Sequence, residues 1–168
     1  MRKVYLDMDG VLVDSIPYLL NYHNLSHCWE EWGQGNYDIY SNTGMSSQDF
    51  FDVDPAVWFD MPKTEWADEL VDLCLDNFDT FIITSSFPEA MRAKYMWLQK
   101  YYKDFNMNKI IFTWRKELLA NRNDVLVEDY IINAELWEEN GGTALICPQP
   151  WNNNNDIDHV FRSLKGMI

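Results

Sequence analysis

The sequence contains little cysteine and no long hydrophobic run. Its three cysteines, Cys28, Cys74 and Cys147, are odd in number and widely spaced, which fits neither a disulfide framework nor a zinc site. This spacing indicates buried thiols in a reducing compartment. No apolar run approaches the roughly 18 residues of a membrane span, and the N-terminal stretch has no signal-peptide apolar region. We therefore expect a soluble, cytoplasmic protein that does not act at a membrane.

Lysine and arginine are also scarce. The chain has 13 of them against 27 aspartates and glutamates, which gives a formal net charge of −14 at pH 7. Nucleic-acid backbones are bound by clustered basic side chains, so this composition argues against a nucleic-acid polymer as the ligand. A small anion can still bind where a metal cation or a few positioned donors overcome the negative field.

Apolar and aromatic residues, by contrast, are plentiful. They make up 47% and 15% of the 168 residues, which is enough for one domain with a small insert and excludes a disordered chain. From about residue 80 onward, short apolar runs alternate with helical patterns, which predicts a parallel α/β sheet with helices on both faces. The predicted strands are residues 4–6, 81–83, 110–112, 125–127 and 144–146.

Two of the helices between these strands carry recognisable end signals. Ser86 and Glu89 have the spacing of a capping box, with Pro88 in the first turn, and they predict where one helix begins. Gly141 and Gly142 follow another helical pattern and predict where it ends.

The interval 15–77 contains helical patterns and a loop-like middle, but no clear strand. We interpret it as a helical cap inserted after the first strand. Residues 1–14 and 78–168 then form the catalytic core. The run of four asparagines at 152–155 is predicted to be a solvated loop.

Polar residues stand where the predicted strands end or shortly after. Taken singly, each has an ordinary explanation, such as a turn, a helix cap, a solvated lysine or an acidic loop. Ligands of open parallel sheets bind at the carboxyl ends of the strands, so these residues together predict an active site there, where hydroxyl and backbone N–H groups can hold phosphate oxygens. They are Asp7, Asp9, Thr84, Ser85, Lys116, Glu128 and Asp129.

The same residues carry a family resemblance that spans the predicted core. "DMDGVLVD", the Thr84 ending of "FIITS", Lys116 and the acidic pair after "VLV" resemble motifs one to four of the haloacid dehalogenase (HAD) superfamily of phosphatases. "TSSFPEAMRAKYMWLQKYY", "KELL" and "GGTALICPQPWN" are similar to the 5'(3')-deoxyribonucleotidase family within it. The resemblance implies a Rossmann-like three-layer core with a small helical cap. It also implies Mg²⁺-dependent hydrolysis of a deoxyribonucleoside monophosphate, and it leaves a homodimer open as the assembly.

The resemblance implies a role for each matched residue. Asp7 would be the nucleophile and would form an aspartyl-phosphate, which divides one difficult displacement into two easier ones. Asp9 would protonate the leaving alkoxide and then deprotonate the hydrolytic water, as a general acid and base. Thr84, Ser85 and Lys116 would bind the phosphate.

A metal site is implied by the same motifs. Mg²⁺ would be held by the Asp7 carboxylate, the backbone carbonyl of Asp9 and Asp129. Glu128 stands where the family usually has a second aspartate, so its longer side chain is expected to reach the ion through a water molecule. Tyr130, where some members carry arginine, is a second departure and bears on phosphate and sugar recognition.

Substrate choice is expected to lie in the cap, since the core contacts only the phosphoryl group. Phe51 and Trp58 are our candidates for stacking on a base, although aromatic residues of the cap also suit a small core of its own. Two other functions stay open at this point. One is a HAD phosphatase for a sugar phosphate or a polynucleotide end, and the other is a catalytically silent binding protein with this fold.

Overall fold

A computed structural model describes residues 1–30, 32 and 35–168, without the side chain of Glu30. Within these residues, five parallel strands form one sheet in the order β3-β2-β1-β4-β5. All five predicted strands are confirmed, and so is the α/β class. The strands are β1 (Lys3–Leu6), β2 (Asp79–Thr84), β3 (Ile110–Phe112), β4 (Val125–Glu128) and β5 (Thr143–Ile146).

Strand β1 is central and sets the position of the site. Leu6 pairs with Ile82 of β2 on one side and with Val127 of β4 on the other. The chain then runs outward through β2 and β3 in one direction and through β4 and β5 in the other. The order reverses between β1 and β4, and the crevice at such a reversal is where open α/β sheets bind ligands.

Alternate strand residues face two separate cores, which gives the fold its three layers. Tyr5, Ile83 and Leu126 form one core with Trp137 of a helix near the C-terminus. The larger core lies on the other face and contains the intervening strand residues. The helices are α1 (Ser15–Tyr22), α2 (His27–Glu30), α3 (Ile39–Thr43), α4 (Ser47–Phe51), α5 (Pro55–Asp60), α6 (Ala67–Asn77), α7 (Pro88–Tyr101), α8 (Ile131–Glu139) and α9 (Ile157–Lys165).

The predicted helix ends are confirmed in part. Helix α8 ends where expected, and Gly141 beyond it has a positive φ of 94°, which a residue with a side chain rarely adopts. Helix α7 begins at Pro88, but the predicted capping box is wrong. The residue at the N-cap position is Phe87, and the Ser86 hydroxyl donates instead to the Phe87 carbonyl at 3.0 Å.

The described residues of the interval 15–77 contain six helices, α1 to α6. Its first helical pattern is split at Asn24, where a φ of 60° ends the helical path between α1 and α2. The chain just before the interval contacts the segment that precedes α6, because Asp14 donates its backbone N–H to the Pro62 carbonyl and Val13 forms an isolated bridge with Lys63. The division of the chain into a core and a cap at 15–77 stays a prediction.

The asparagine run is the expected solvated loop only in part, because Asn153 and Asn155 are exposed whereas Asn152 is buried. Asn152 is 6% exposed and ends a 3-10 helix, Pro150–Asn152, and its amide donates to the Cys147 carbonyl at 2.7 Å. Carbonyls buried in a turn need donors, and this asparagine supplies one. The sequence reading also missed helix α9, whose N-cap Asp156 accepts a hydrogen bond from the His159 N–H.

All three cysteines are buried and free, as predicted. None of the helices in the described ranges is long and apolar enough to cross a membrane.

Candidate active site

Three acidic side chains meet where β1 and β4 end. Asp7 follows β1 directly, and its backbone N–H donates to Val127 at 2.9 Å, which extends the pairing of the two strands. Glu128 is the last residue of β4, and Asp129 comes next. One carboxylate oxygen from each of the three lies within 4.8 Å of the others, and all three residues are buried.

Lys116 lies against this cluster from a third chain segment. It begins the 3-10 helix Lys116–Leu119 after β3 and is only 2% exposed. Its Nζ is 2.7 Å from Asp7 Oδ1 and 2.7 Å from Glu128 Oε2. The other oxygen of Glu128 accepts the backbone N–H groups of Asp129 and Tyr130. Both oxygens of Glu128 are therefore occupied by donors of the protein itself.

One ammonium group does not neutralise three buried carboxylates. Burial, and then repulsion by Glu128, raise the pKa of Asp7 to about 8, although the Lys116 ammonium opposes this. Burial, and then repulsion by Glu128 and Asp7, raise the pKa of Asp129 well above its usual value. Burial acts in the same sense on Glu128, but the Lys116 ammonium and the hydrogen bonds that Glu128 accepts together outweigh burial and lower its pKa. The cluster therefore carries more negative charge than the Lys116 ammonium can neutralise.

Asp9 is held by a second buried lysine that the sequence reading missed. Lys94 of α7 is 2% exposed and donates to Asp9 Oδ2, to Thr84 Oγ1 at 3.1 Å and to the Ser85 carbonyl at 2.9 Å. Asp9 Oδ1 is buried and has no hydrogen-bond partner within the described residues. A signal was present in the sequence, because Lys94 falls on the apolar face of its helix, four residues after Ala90.

Thr84 and Ser85 lie where the second strand ends. Thr84 is fully buried as the last residue of β2, and its hydroxyl donates to the Ser85 carbonyl at 3.2 Å. The Ser85 hydroxyl donates to the Thr113 carbonyl at 3.1 Å, which ties this turn to the segment after β3. Through Lys94, the structure places both residues beside Asp9.

The donor set fits a divalent cation. Four carboxylates and two buried ammonium groups leave two negative charges uncompensated when all of them are ionised. Oxygen-only donors of this kind suit a hard ion such as Mg²⁺, and carboxylates left without enough positive charge shift their pKa upward, as Asp7 and Asp129 do.

Gly10 completes the first motif for a steric reason. Its φ is +70°, and a Cβ at this position would lie 2.3 Å from Asp129 Oδ2. No side chain fits between the first motif and the aspartate after β4. The glycine therefore lets the two segments approach closely enough for their carboxylates to share one site.

A turn after β5 contacts the same two segments and was also missed. Trp151 Nε1 donates to Asp129 Oδ2 at 3.0 Å, and Asn152 donates to the Asp129 carbonyl at 2.7 Å. Gln149 donates to the Gly10 carbonyl at 2.8 Å. All three side chains are buried.

An aromatic pocket of about 90 Å³ opens beside Asp9. Phe51 and Trp58, the two aromatic candidates from the sequence, both line it, with ring centroids 6.1 Å apart and planes 21° from parallel. Both also pack against the main core, so they contribute to core and pocket together. Lys94 Nζ lies 4.8 Å from the Trp58 ring centroid. Further aromatic residues that line the pocket are Tyr37, Phe87 and Trp114.

Comparison with solved structures places this fold among HAD-family hydrolases. The HAD hydrolase YfnB from Bacillus subtilis, bound to magnesium, matches with a TM-score of 0.62 at 12% identity, over 97% of this chain and 98% of that one. A haloacid dehalogenase-like hydrolase from Xanthomonas campestris matches with a TM-score of 0.59 at 12% identity, over 99% and 92%. A HAD-family enzyme from Bacteroides thetaiotaomicron, in complex with magnesium and inorganic phosphate, matches with a TM-score of 0.54 at 14% identity, over 96% and 100%.

These comparisons are structural ones. No protein-family model matches the sequence, and no curated protein matches it. The solved structures show that the chain has the fold of HAD hydrolases.

We predict that stabilisation by Mg²⁺ grows as the pH rises from about 5 to 8. In the cation-free fold, Asp7 and Asp129 keep their protons to a higher pH than in the unfolded chain, so their contribution to stability is lost as the pH rises toward 8. A cation must displace those protons and therefore binds better at the higher pH. Thermal unfolding with and without MgCl₂ at pH 5.5 and pH 8 measures the effect. Equal shifts at both pH values would contradict it.

We also predict that Lys116→Met destabilises the fold by about 3–5 kcal/mol near pH 7, because it leaves buried carboxylates without their cation. The matched control is Lys109→Met, which breaks a half-exposed pair with Asp79 and is expected to cost about 0–1 kcal/mol. Urea unfolding of both variants gives the two values. A loss for Lys116→Met no larger than that of the control would refute the structural role of this lysine.

Proposed function

We propose that this protein is a Mg²⁺-dependent phosphatase that hydrolyses deoxyribonucleoside monophosphates through an aspartyl-phosphate. The observation that carries the proposal is the buried cluster of Asp7, Lys116, Glu128 and Asp129 at the carboxyl ends of the central strands. The magnesium and phosphate in the Bacteroides enzyme of the same fold support it. A cytoplasmic location and a homodimeric assembly stay predictions.

The covalent step is assigned to Asp7. A carboxylate oxygen of Asp7 attacks phosphorus as the bond from phosphorus to the leaving oxygen breaks, and the phosphoryl group is carried on Asp7. Water then attacks the same phosphorus and releases inorganic phosphate, which restores the carboxylate. Lys116, 2.7 Å from Asp7 Oδ1, is placed to balance charge on the attacking group and on the phosphoryl oxygens.

Asp9 is assigned the proton transfers. It gives its proton to the leaving alkoxide in the first step and takes one from water in the second. One of its oxygens is fixed by Lys94, whereas Oδ1 has no partner in the described part of the chain. An acid that is held through one oxygen and unpaired at the other is suited to exchange protons with substrate and water in turn.

Magnesium would be held by the Asp7 carboxylate, the backbone carbonyl of Asp9 and Asp129. It would supply positive charge that offsets the phosphoryl oxygens when it is bound. Glu128 already shares its two oxygens with Lys116 and two backbone amides, which favours a contact with the ion through water. Thr84, the last residue of β2, and Ser85, which follows it, are assigned to phosphate binding.

The nucleoside part of the proposal rests on the aromatic pocket beside Asp9. A leaving group that is protonated by Asp9 must lie next to this pocket, and Phe51 and Trp58 offer near-parallel rings against which a base can stack. A ribose 2'-hydroxyl against an aromatic wall would lose hydration without gaining a partner, which favours deoxyribose. Pyrimidines are the bases we favour, on the family resemblance alone.

A screen of phosphomonoesters with free-phosphate detection, with and without Mg²⁺, tests the whole proposal. Deoxynucleotides should be hydrolysed best, and only with Mg²⁺. A preference for sugar phosphates or polynucleotide ends would be consistent with the proposed phosphatase activity but would overturn the proposed nucleotide substrate. No activity on any small monoester would overturn both and favour a binding protein.

We predict that Asp7→Asn abolishes turnover. Asp9→Asn should lower kcat by about 10²–10⁴-fold, as expected when an acid-base group is lost. It should keep its Mg²⁺-induced shift in melting temperature, because the assigned ligand is its backbone carbonyl. Rapid-quench trapping followed by peptide mapping should find phosphate on Asp7. Phosphate on another residue of an active enzyme would overturn the covalent mechanism.

Substitution of the pocket aromatics should separate large substrates from compact ones. Phe51→Ala or Trp58→Ala should lower kcat/KM for a deoxynucleotide by about 5–150-fold, which corresponds to about 1–3 kcal/mol of lost stacking. For p-nitrophenyl phosphate, kcat/KM should barely change. Phe59→Ala is the matched control, since Phe59 lies in the same helix as Trp58 but does not line this pocket. Equal losses on both substrates would show that the rings serve the core alone.

A further inference from the structure

Residues 149–152 form a buried turn around the candidate metal ligands. The turn includes the 3-10 helix Pro150–Asn152, and its own geometry is fixed by the Gln149 N–H, which donates to Asn152 Oδ1 at 3.1 Å. Gln149, Trp151 and Asn152 are 8%, 3% and 6% exposed. A buried side chain that donates a hydrogen bond fixes the direction of the group that accepts it, because no water molecule competes for the donor or the acceptor there.

Each of these three side chains donates to a segment that carries a candidate ligand. Trp151 Nε1 is 3.0 Å from Asp129 Oδ2, and Asn152 Nδ2 is 2.7 Å from the Asp129 carbonyl. Side chain and backbone of the same aspartate are therefore held independently. Gln149 Nε2 is 2.8 Å from the carbonyl of Gly10, the residue after Asp9.

The indole of Trp151 cannot turn away from Asp129, because aromatic rings from the interval 15–77 surround it. The ring centroids of Trp29, Trp32 and Tyr37 lie 6.3, 6.0 and 5.6 Å from that of Trp151. Aromatic contacts of this kind restrict the rotamer of the central ring. The Nε1 donor is thus aimed at the carboxylate by packing as well as by its hydrogen bond.

We propose that this turn positions the metal ligands, with Trp151 as the positioning residue for Asp129. The inference rests on the cation site of the proposed function. Mutation of a group that hydrogen-bonds to a metal ligand typically lowers metal affinity by about 10–100-fold. Mg²⁺ requires near-ideal octahedral geometry, whereas Ca²⁺ accepts a flexible shell, so a loosened Asp129 should penalise Mg²⁺ more than Ca²⁺.

The test compares two Trp→Phe substitutions in the full chain, without substrate. Trp151→Phe removes the donor to Asp129 and keeps an aromatic ring. Trp137→Phe is the matched control, since Trp137 is fully buried and its Nε1 has no partner within the described residues. Binding of MgCl₂ and of CaCl₂ is measured by calorimetry at pH 8, and melting temperatures without added cation report the packing cost of each change.

We expect Trp151→Phe to weaken Mg²⁺ binding by about 10–100-fold, to weaken Ca²⁺ binding less, and to melt within a few degrees of the control. If Trp151→Phe does not fold, Gln149→Met, which removes the donor to the Gly10 carbonyl, should show the same selective loss. Equal weakening of both ions, or Mg²⁺ binding equal to that of the control, would overturn the inference alone. Absence of Mg²⁺ binding by the unaltered chain would overturn the proposed function and the inference with it.

Discussion

The Lys116 ammonium, buried between Asp7 and Glu128, is the contact on which the carboxyl end of the sheet depends. It joins the segments that follow β1 and β3 to the end of β4. Buried ion pairs of this kind rarely add net stability, because the loss of hydration of the charges offsets their attraction. Their retention here is better explained by chemistry. Under the proposed function, a lysine held this close to Asp7 keeps positive charge where a phosphoryl group would be transferred. Apolar residues in place of the lysine and both of its carboxylates could pack equally well but could not do that.

The crowding of carboxylates around the Lys116 ammonium constrains the chain segments that pack against them. Asp129 can approach Asp7 only because Gly10 has no side chain, and the Trp151 indole donates to Asp129 Oδ2. The loop of the first motif is held in turn by Trp66, whose Nε1 donates to the Val11 carbonyl at 2.8 Å. The acidic cluster is thus enclosed by groups that have no role in the reaction itself. Each of them restricts where a carboxylate can point, and a small octahedral cation needs such restriction.

The sequence alone predicted the residues at strand ends and missed those that reach the site from elsewhere. Thr84 and Asp129 could be found because buried parallel strands are apolar runs, and the residue where a run ends marks the binding edge. Lys94 lies within a helix, ten residues after Thr84, and only its place on an apolar helix face distinguished it. Trp151 and Asn152 belong to a stretch whose repeated asparagines suggested solvent exposure. Their burial depends on long-range hydrogen bonds to Asp129, which no local pattern encodes.

A protein with a formal net charge of −14 repels the dianions that the proposed reaction requires, so binding depends on local cancellation of that field. The two buried lysines provide part of it. Lys94 also links the two halves of the task, because its Nζ contacts Asp9 and lies 4.8 Å from the ring of Trp58 in the pocket. A leaving group that displaces or tightens Trp58 would act on the same ammonium that fixes Asp9. Under the proposed mechanism, recognition of the leaving group and its protonation would therefore depend on the same ammonium group. A substrate too small to reach Trp58 would then receive its proton from an Asp9 that the substrate has not helped to position.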